Sequence, residues 1–248
     1  MKALVVLSGG QDSTTCLFLA KAEGYELHAI TFNYGQRHAR EVDSAFTVGR
    51  MAGVRSHHLV DVPGILVGTS PLVNKDATLE QYADHQSLPG GIEKTFVPCR
   101  NQLFLTIALN RAVALGGCCA IFTGVSEEDF GGYPDCRGDF IDCFNSLSLR
   151  GLKDAVAPVP MVRAPLLTLS KAETVRLARR LPGCWDALAY TTTSYDGAYP
   201  PVGKDHATLL RAKGFEEAGF PDPLVLRAHK EGLMPLPSTP NYDRARSA

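Results

Sequence analysis

The sequence predicts an α/β fold, a Rossmann-like parallel sheet with helices on both faces, plus a small helical C-terminal region. Three observations lead there. Short apolar runs of strand length, with Ala3-Leu4-Val5-Val6-Leu7 the first, alternate with longer stretches of helical pattern. The runs read as buried strands, which need cover on both faces. Polar and glycine-rich segments fall at the carboxyl ends of these runs, where an open α/β sheet holds its ligands. With 248 residues the chain suits one large domain or a domain with an appendage. The expected division is an α/β domain over 1–182 and a helical region with an extended arm over 183–248.

The first unit carries the strongest signal. Ser8-Gly9-Gly10-Gln11-Asp12-Ser13 lies between the first apolar run and the helical stretch Thr14 to Ala22. The glycines allow close backbone approach, and a helix N-terminus offers free N–H groups and a favourable dipole to phosphate. Ser8 and Ser13 add hydroxyl donors. Asp12 beside phosphate makes sense as a helix cap or as a holder of Mg²⁺. The Walker A ending and the three spaced glycines of the dinucleotide fingerprint are both missing. The plain alternative is a βα turn without a ligand.

Glu26 to Phe32 reads as the second strand, Ala39 to Ala52 as a helix and His57 to Val62 as the third strand. Between the second strand and its helix stand Tyr34, Gln36 and Arg37. Arg37 can hold a phosphate or carboxylate bidentately, or be a solvated surface arginine. From Pro63 to Pro98 periodicity is lost, which fits a lid or substrate loop, or an insertion without a role. A helix follows over Gln102 to Leu115, then a buried strand over Cys119 to Thr123. The next segment, Gly124 to Arg137, is the most polar of the chain; its acidic residues, aromatic rings and glycines can take the edge of a purine-like base and stack on it. An acidic loop capping the helix Gly138 to Leu149 is the alternative. Ala157 to Met161 is the expected last strand. Ser170 to Arg180 forms a helix with Ser170 and Glu173 as a capping box. Lys171 in its first turn opposes the dipole and points to an anionic partner. After Pro182-Gly183 the chain reads as irregular to Lys204, then as a helix from His206 to Ala218, and from Pro221 as an extended arm.

Composition excludes several classes. Hydrophobic residues make up 45%, which marks a globular chain. With 25 basic and 26 acidic residues and no basic tract, no stable nucleic-acid partner is expected. Met1-Lys2 runs straight into the first strand, and no apolar run reaches spanning length, so a cytoplasmic protein with no membrane partner is expected. Seven cysteines show no CxxC pair and no Cys/His ligand spacing, the pattern of reduced thiols.

The loop Ser8 to Ser13 resembles the SGGxDS signature of the PP-loop ATP pyrophosphatases. Further blocks match one branch of them: Leu7 to Cys16, Thr31 to His38, Thr95 to Pro98 with Arg100-Asn101, Thr123 to Val125, Asp129-Phe130, Gly132 to Arg137, Pro165-Leu166 and Lys171 to Thr174. On these residues the chain resembles the 7-cyano-7-deazaguanine synthases, the QueC family. The resemblance implies an adenine nucleotide alpha hydrolase-like PP-loop fold and an ATP-dependent carbon–nitrogen ligase. Such enzymes adenylate the carboxylate of 7-carboxy-7-deazaguanine, take up ammonia to give the amide, and use a second ATP to dehydrate it to the nitrile for queuosine biosynthesis. ATP and Mg²⁺ as cofactors and a homodimer are implied with it. By the same resemblance Asp12, Ser13, Arg37, Arg100 and Lys171 are catalytic, and Ser8, Gly9, Gly10, Thr31 and Gly124 bind the nucleotide. Tyr34, Gln36, Phe130, Tyr133, Asp135 and Arg137 would bind substrate, with Glu127 and Asp129 accepting from the purine N–H groups.

One departure stands out. The family usually carries four zinc cysteines near its end; this chain has Ser194, Val202, Asp205 and Thr208 in their places. Valine binds no Zn²⁺ and the other three make no thiolate site, so zinc is expected to be absent. Cys99 and Ser126 replace the family's usual glycine and cysteine, keeping open a paralogue that stops at the amide or joins the activated deazapurine to another amine, as on a protein. A tRNA-sulfurating role lacks a persulfide cysteine or RNA-binding domain, and intact Ser8, Asp12 and Ser13 argue against a non-catalytic nucleotide sensor.

Overall fold

The computed structural model describes all residues except 36–39, 67, 69, 75, 85–86, 88–91, 93, 128–132, 196 and 248. Five strands form one parallel sheet: β1 (Lys2–Val6), β2 (Glu26–Asn33), β3 (Ser56–Asp61), β4 (Cys118–Phe122) and β5 (Met161–Arg163), in the order β3-β2-β1-β4-β5. The side chains of β1 alternate between two cores, as a strand period of two requires. Ala3, Val5 and Leu7 enter one core with Leu17, Val48, Val175 and Phe215; Leu4 enters the other with Ile30, Leu105 and Phe144. Such double-sided burial is why the strand sequences read as continuous apolar runs.

The helices follow from the same pattern. α1 (Gln11–Ala22), α2 (Arg40–Ala52), α3 (Arg100–Leu115), α4 (Gly138–Leu152) and α5 (Lys171–Arg180) fill the connections. α5 has the expected capping box, Ser170 accepting from the Glu173 N–H and Glu173 reaching back. The strand order reverses between β1 and β4, which opens a crevice at their carboxyl ends.

Three expectations are corrected. The last strand is Met161–Arg163 and not Ala157 to Met161; its register pairs Ala120 with Met161, so the pairing starts only at the end of the expected run. The stretch after Pro182 contains a helix, α6 (Cys184–Leu188), whose Cys184, Ala187 and Leu188 are buried against the β1 core. After α7 (His206–Ala218), the region expected as an extended arm holds α8 (Pro223–Lys230) and α9 (Asp243–Arg246). Asp222 caps α8 and Pro223 stands at its first position, where a missing N–H costs nothing.

Candidate functional site

A cavity of about 300 Å³ opens at the switch point, lined by stretches of the chain from Val6 to Arg211. Its first wall is the glycine loop. Gly9 has φ +85°, and a Cβ there would lie 2.4 Å from the Glu41 carbonyl oxygen, so only glycine lets the loop rest on α2. A Cβ on Gly124 would lie 2.7 Å from the Ser13 nitrogen, so β4 ends against the first turn of α1. Ser13 Oγ bonds with Ser8 Oγ at 3.0 Å and accepts from the Ser8 N–H at 3.2 Å, which closes the loop on itself. Gly10 is the N-cap without a side-chain cap, leaving the first-turn N–H groups no helical partner.

Asp12 does not cap α1. It stands inside the helix, and Lys171 Nζ of α5 lies 2.7 Å from its Oδ2. The anionic partner expected for Lys171 is thus supplied within the chain. Asp12 Oδ1 is buried with no hydrogen-bond partner among the described residues, as is Gln11 Nε2.

The opposite wall comes from β2, α3 and the segment after β4. Phe32 stacks on Phe104 at 4.1 Å, and Tyr34 tilts against the same ring at 5.3 Å. Tyr133 packs on Phe96 and bonds with Thr95 Oγ1 at 2.7 Å. Described parts of the 63–98 stretch therefore belong to the site, since Leu72 also lines the cavity. Arg100 begins α3 beside Tyr34. Burial works against its charge, but Tyr34, Asp135 and Cys136 offset this and hold its pKa above the ordinary value. Burial raises the pKa of Asp135, opposed by Arg100, and raises that of Tyr34 likewise. Cys99, just before, has φ +65° at the N-cap, the left-handed region that suits glycine.

Of the residues expected in the site, Ser8, Gly10, Asp12, Ser13, Thr31, Tyr34, Arg100, Gly124, Tyr133 and Lys171 line this cavity. Thr31 is held in the sheet, donating to the Leu7 carbonyl at 2.5 Å. Gly9, Glu127, Asp135 and Arg137 are not among the lining residues. Gly9 and Asp135 support it from behind, Asp135 through its carbonyl, which accepts from Asn101 at 3.1 Å. Glu127 Oε1 accepts from the Gly138 N–H at 2.9 Å, which is the helix-capping alternative for that carboxylate. Gln36, Arg37, Asp129 and Phe130 lie outside the described residues.

Sequence reasoning missed Glu41, Thr192, Thr193 and Arg211, all of which line the cavity. Glu41 reads as one more exposed charge opening a helix; only the seat of Gly9 on α2 brings it inward. Burial pushes its carboxyl up to about 7, against the pull of Arg100. Thr192 lies in a stretch without sequence periodicity, yet its N–H donates to the Gly9 carbonyl at 2.9 Å and its Oγ1 meets Ser44 Oγ at 2.6 Å.

The four positions named for zinc do not carry its chemistry. Asp205 is buried and accepts from Ser194 Oγ at 2.9 Å, Thr208 Oγ1 at 2.8 Å and the Thr208 N–H at 3.1 Å. Gly203 packs on all three side chains, and Val202 is exposed. The donor set is one carboxylate and two hydroxyls already satisfied by one another, which does not fit a tetrahedral Zn²⁺ site.

A family model described as Queuosine biosynthesis protein QueC matches residues 2–219. The chain is 48% identical over 225 residues to the 7-cyano-7-deazaguanine synthase of Gloeobacter violaceus, spanning 90% of this chain and 95% of that one. It is 43% identical over 226 residues to the protein of that name from Laribacter hongkongensis, spanning 91% and 94%. With a family match over nearly its whole length and relatives at this identity, the chain belongs to the QueC family of enzymes.

Proposed function

We propose that this enzyme converts 7-carboxy-7-deazaguanine and ammonia to 7-cyano-7-deazaguanine with ATP, through an acyl adenylate and an amide. The observation that carries the reading is a single cavity joining the glycine loop at the start of α1 to a chamber walled by Tyr34, Phe104 and Tyr133 beside Arg100. A carboxylate is a poor acyl donor because oxide leaves badly, and adenylation replaces oxide by AMP. Two anionic centres must then be held next to each other, and the cavity has a cationic group for each.

The first-turn amides of α1, with Ser8 and Ser13, suit the phosphates, and Lys171 adds a positive charge as pyrophosphate departs. Arg100 can grip the substrate carboxylate through its planar fork and keep it in line with the α-phosphate. The aromatic walls suit the flat deazapurine ring and exclude water. Asp12 Oδ1, buried and without a partner among the described residues, fits Mg²⁺, which takes one or two carboxylates and completes its shell with phosphate and water; when bound it would neutralise pyrophosphate charge. The amide oxygen can be adenylated in the same place, so one site can serve both halves. A homodimer and a cytoplasmic setting belong to this reading by family.

The test is to incubate the purified protein with 7-carboxy-7-deazaguanine, Mg·ATP and ammonium and follow pyrophosphate release and products by mass spectrometry. Nitrile is the expected product. Amide alone, or adducts with another amine, would instead support the paralogue with altered chemistry, and no carboxylate-dependent pyrophosphate release would overturn both.

A further inference from the structure

The proposed reaction needs a proton acceptor. Ammonium is the prevailing form of ammonia near neutral pH, and it has no lone pair with which to attack. The described residues lining the cavity include two carboxylates, Asp12 and Glu41, and no histidine. Asp12 pairs with Lys171 through Oδ2 at 2.7 Å, and its Oδ1 is the oxygen proposed above for Mg²⁺. Glu41 stands at the start of α2, half-buried, and feels the charge of Arg100 across the chamber. We propose that Glu41 binds ammonium beside the adenylated carboxyl and takes a proton from it.

The step balances as follows. One N–H bond of ammonium breaks and its proton passes to a Glu41 carboxylate oxygen. The freed lone pair forms the C–N bond at the acyl carbon. The C–O bond to AMP breaks with its electron pair going to the phosphate, and the surplus nitrogen proton leaves to solvent. Burial holds the Glu41 pKa at about 7, near working pH, where a general base is most effective. Among the described residues the other charged and titratable groups lining this cavity are Arg100 of α3, Arg211 of α7, Tyr34 after β2, Tyr133 and Cys136 before α4, Tyr195 before α7, and Asp12 of α1 paired with Lys171 of α5. Arg100 opposes the rise, and Tyr34 remains protonated because burial raises its pKa.

The inference rests on the proposed synthase reaction, so its test separates the half-reactions. Carboxylate-dependent exchange of labelled pyrophosphate into ATP reports adenylation, and amide formation reports the ammonia step. In Glu41→Gln the ratio of amide formation to exchange is expected to fall by about 10²-fold or more. Hydroxylamine, largely unprotonated near neutral pH, should recover much of the loss as the hydroxamate. Glu41→Asp should keep part of the ammonium reaction. An unchanged ratio, or an equal loss with hydroxylamine, would overturn the role of Glu41 while leaving the synthase reading intact. No exchange in the unmodified enzyme would overturn the synthase reading and this one with it. If Glu41→Gln does not fold, the pH profile of the unmodified enzyme decides: at constant ammonium concentration, amide formation must rise with pH and level off above a group ionising near 7, and a rise that continues in proportion to free ammonia overturns the proposal.

Discussion

Glu41 carries a consequence for stability as well as for chemistry. Its carboxyl is held up to about 7 in the folded protein by burial, while in the unfolded chain it titrates as an ordinary carboxylate. Between those values the native state binds more protons than the unfolded one, so this group makes stability fall as pH rises. The loss is complete above the folded value and absent below the unfolded one. Urea midpoints between about pH 5 and about pH 8 should therefore drop more steeply for the unmodified protein than for Glu41→Gln, and parallel curves would contradict the burial. Other residues of the site were legible by type. Ser8, Asp12 and Ser13 sit where a phosphate loop needs them, but the partner of Asp12 was not legible, because Lys171 comes from 159 positions along the chain. Cys99 shows a local cost: φ +65° in a residue with a Cβ explains why glycine suits that position.

Elements were read well where periodicity governs them and poorly where a single polar contact does. α2, α4 and α5 follow from their apolar spacing, and α5 also from the capping box of Ser170 and Glu173. α8 escaped notice because proline-rich sequence suggests an extended chain, whereas Asp222 and Pro223 make a helix start. At the N-terminus of α7 the Asp205 carboxylate ties together Ser194, Thr208 and the helix end. That knot spans the segments that a metal would otherwise join, and α7 carries Ala207, Leu210 and Arg211 into the cavity wall. Asp205→Ala removes a cap and strands two buried hydroxyls, with an expected cost of about 2–4 kcal/mol in urea unfolding. A chelator should leave the melting temperature of the unmodified protein unchanged. A chelator-sensitive melt with bound zinc would show that the hydrogen-bonded knot is not what holds this region.

On the scale of the whole molecule, the region after Pro182 shares the β1 core through Leu188 and Phe215 and closes one side of the cavity. Its keystone is Arg211, buried with Asp222 at 2.6 and 2.8 Å and further bonded to Thr191 and Thr193 at 2.8 Å each. Asp222→Ala leaves that guanidinium buried without its counter-charge and uncaps α8, so a loss of about 3–5 kcal/mol is expected. Amide exchange should speed up over α7 and α8 first; uniform global loosening would show that the pair does not organise this region separately. The sequence alone determined the α/β class, the glycine loop at the end of β1 and the family, because strand and helix periods and the loop's residue types are local properties. Only the tertiary structure decided that Lys171 pairs with Asp12, that Glu127 caps α4, and that Glu41 and Thr192 enter the cavity. Those outcomes depend on which distant segments the parallel sheet brings to one crevice, and the order β3-β2-β1-β4-β5 is written in no single stretch of the chain.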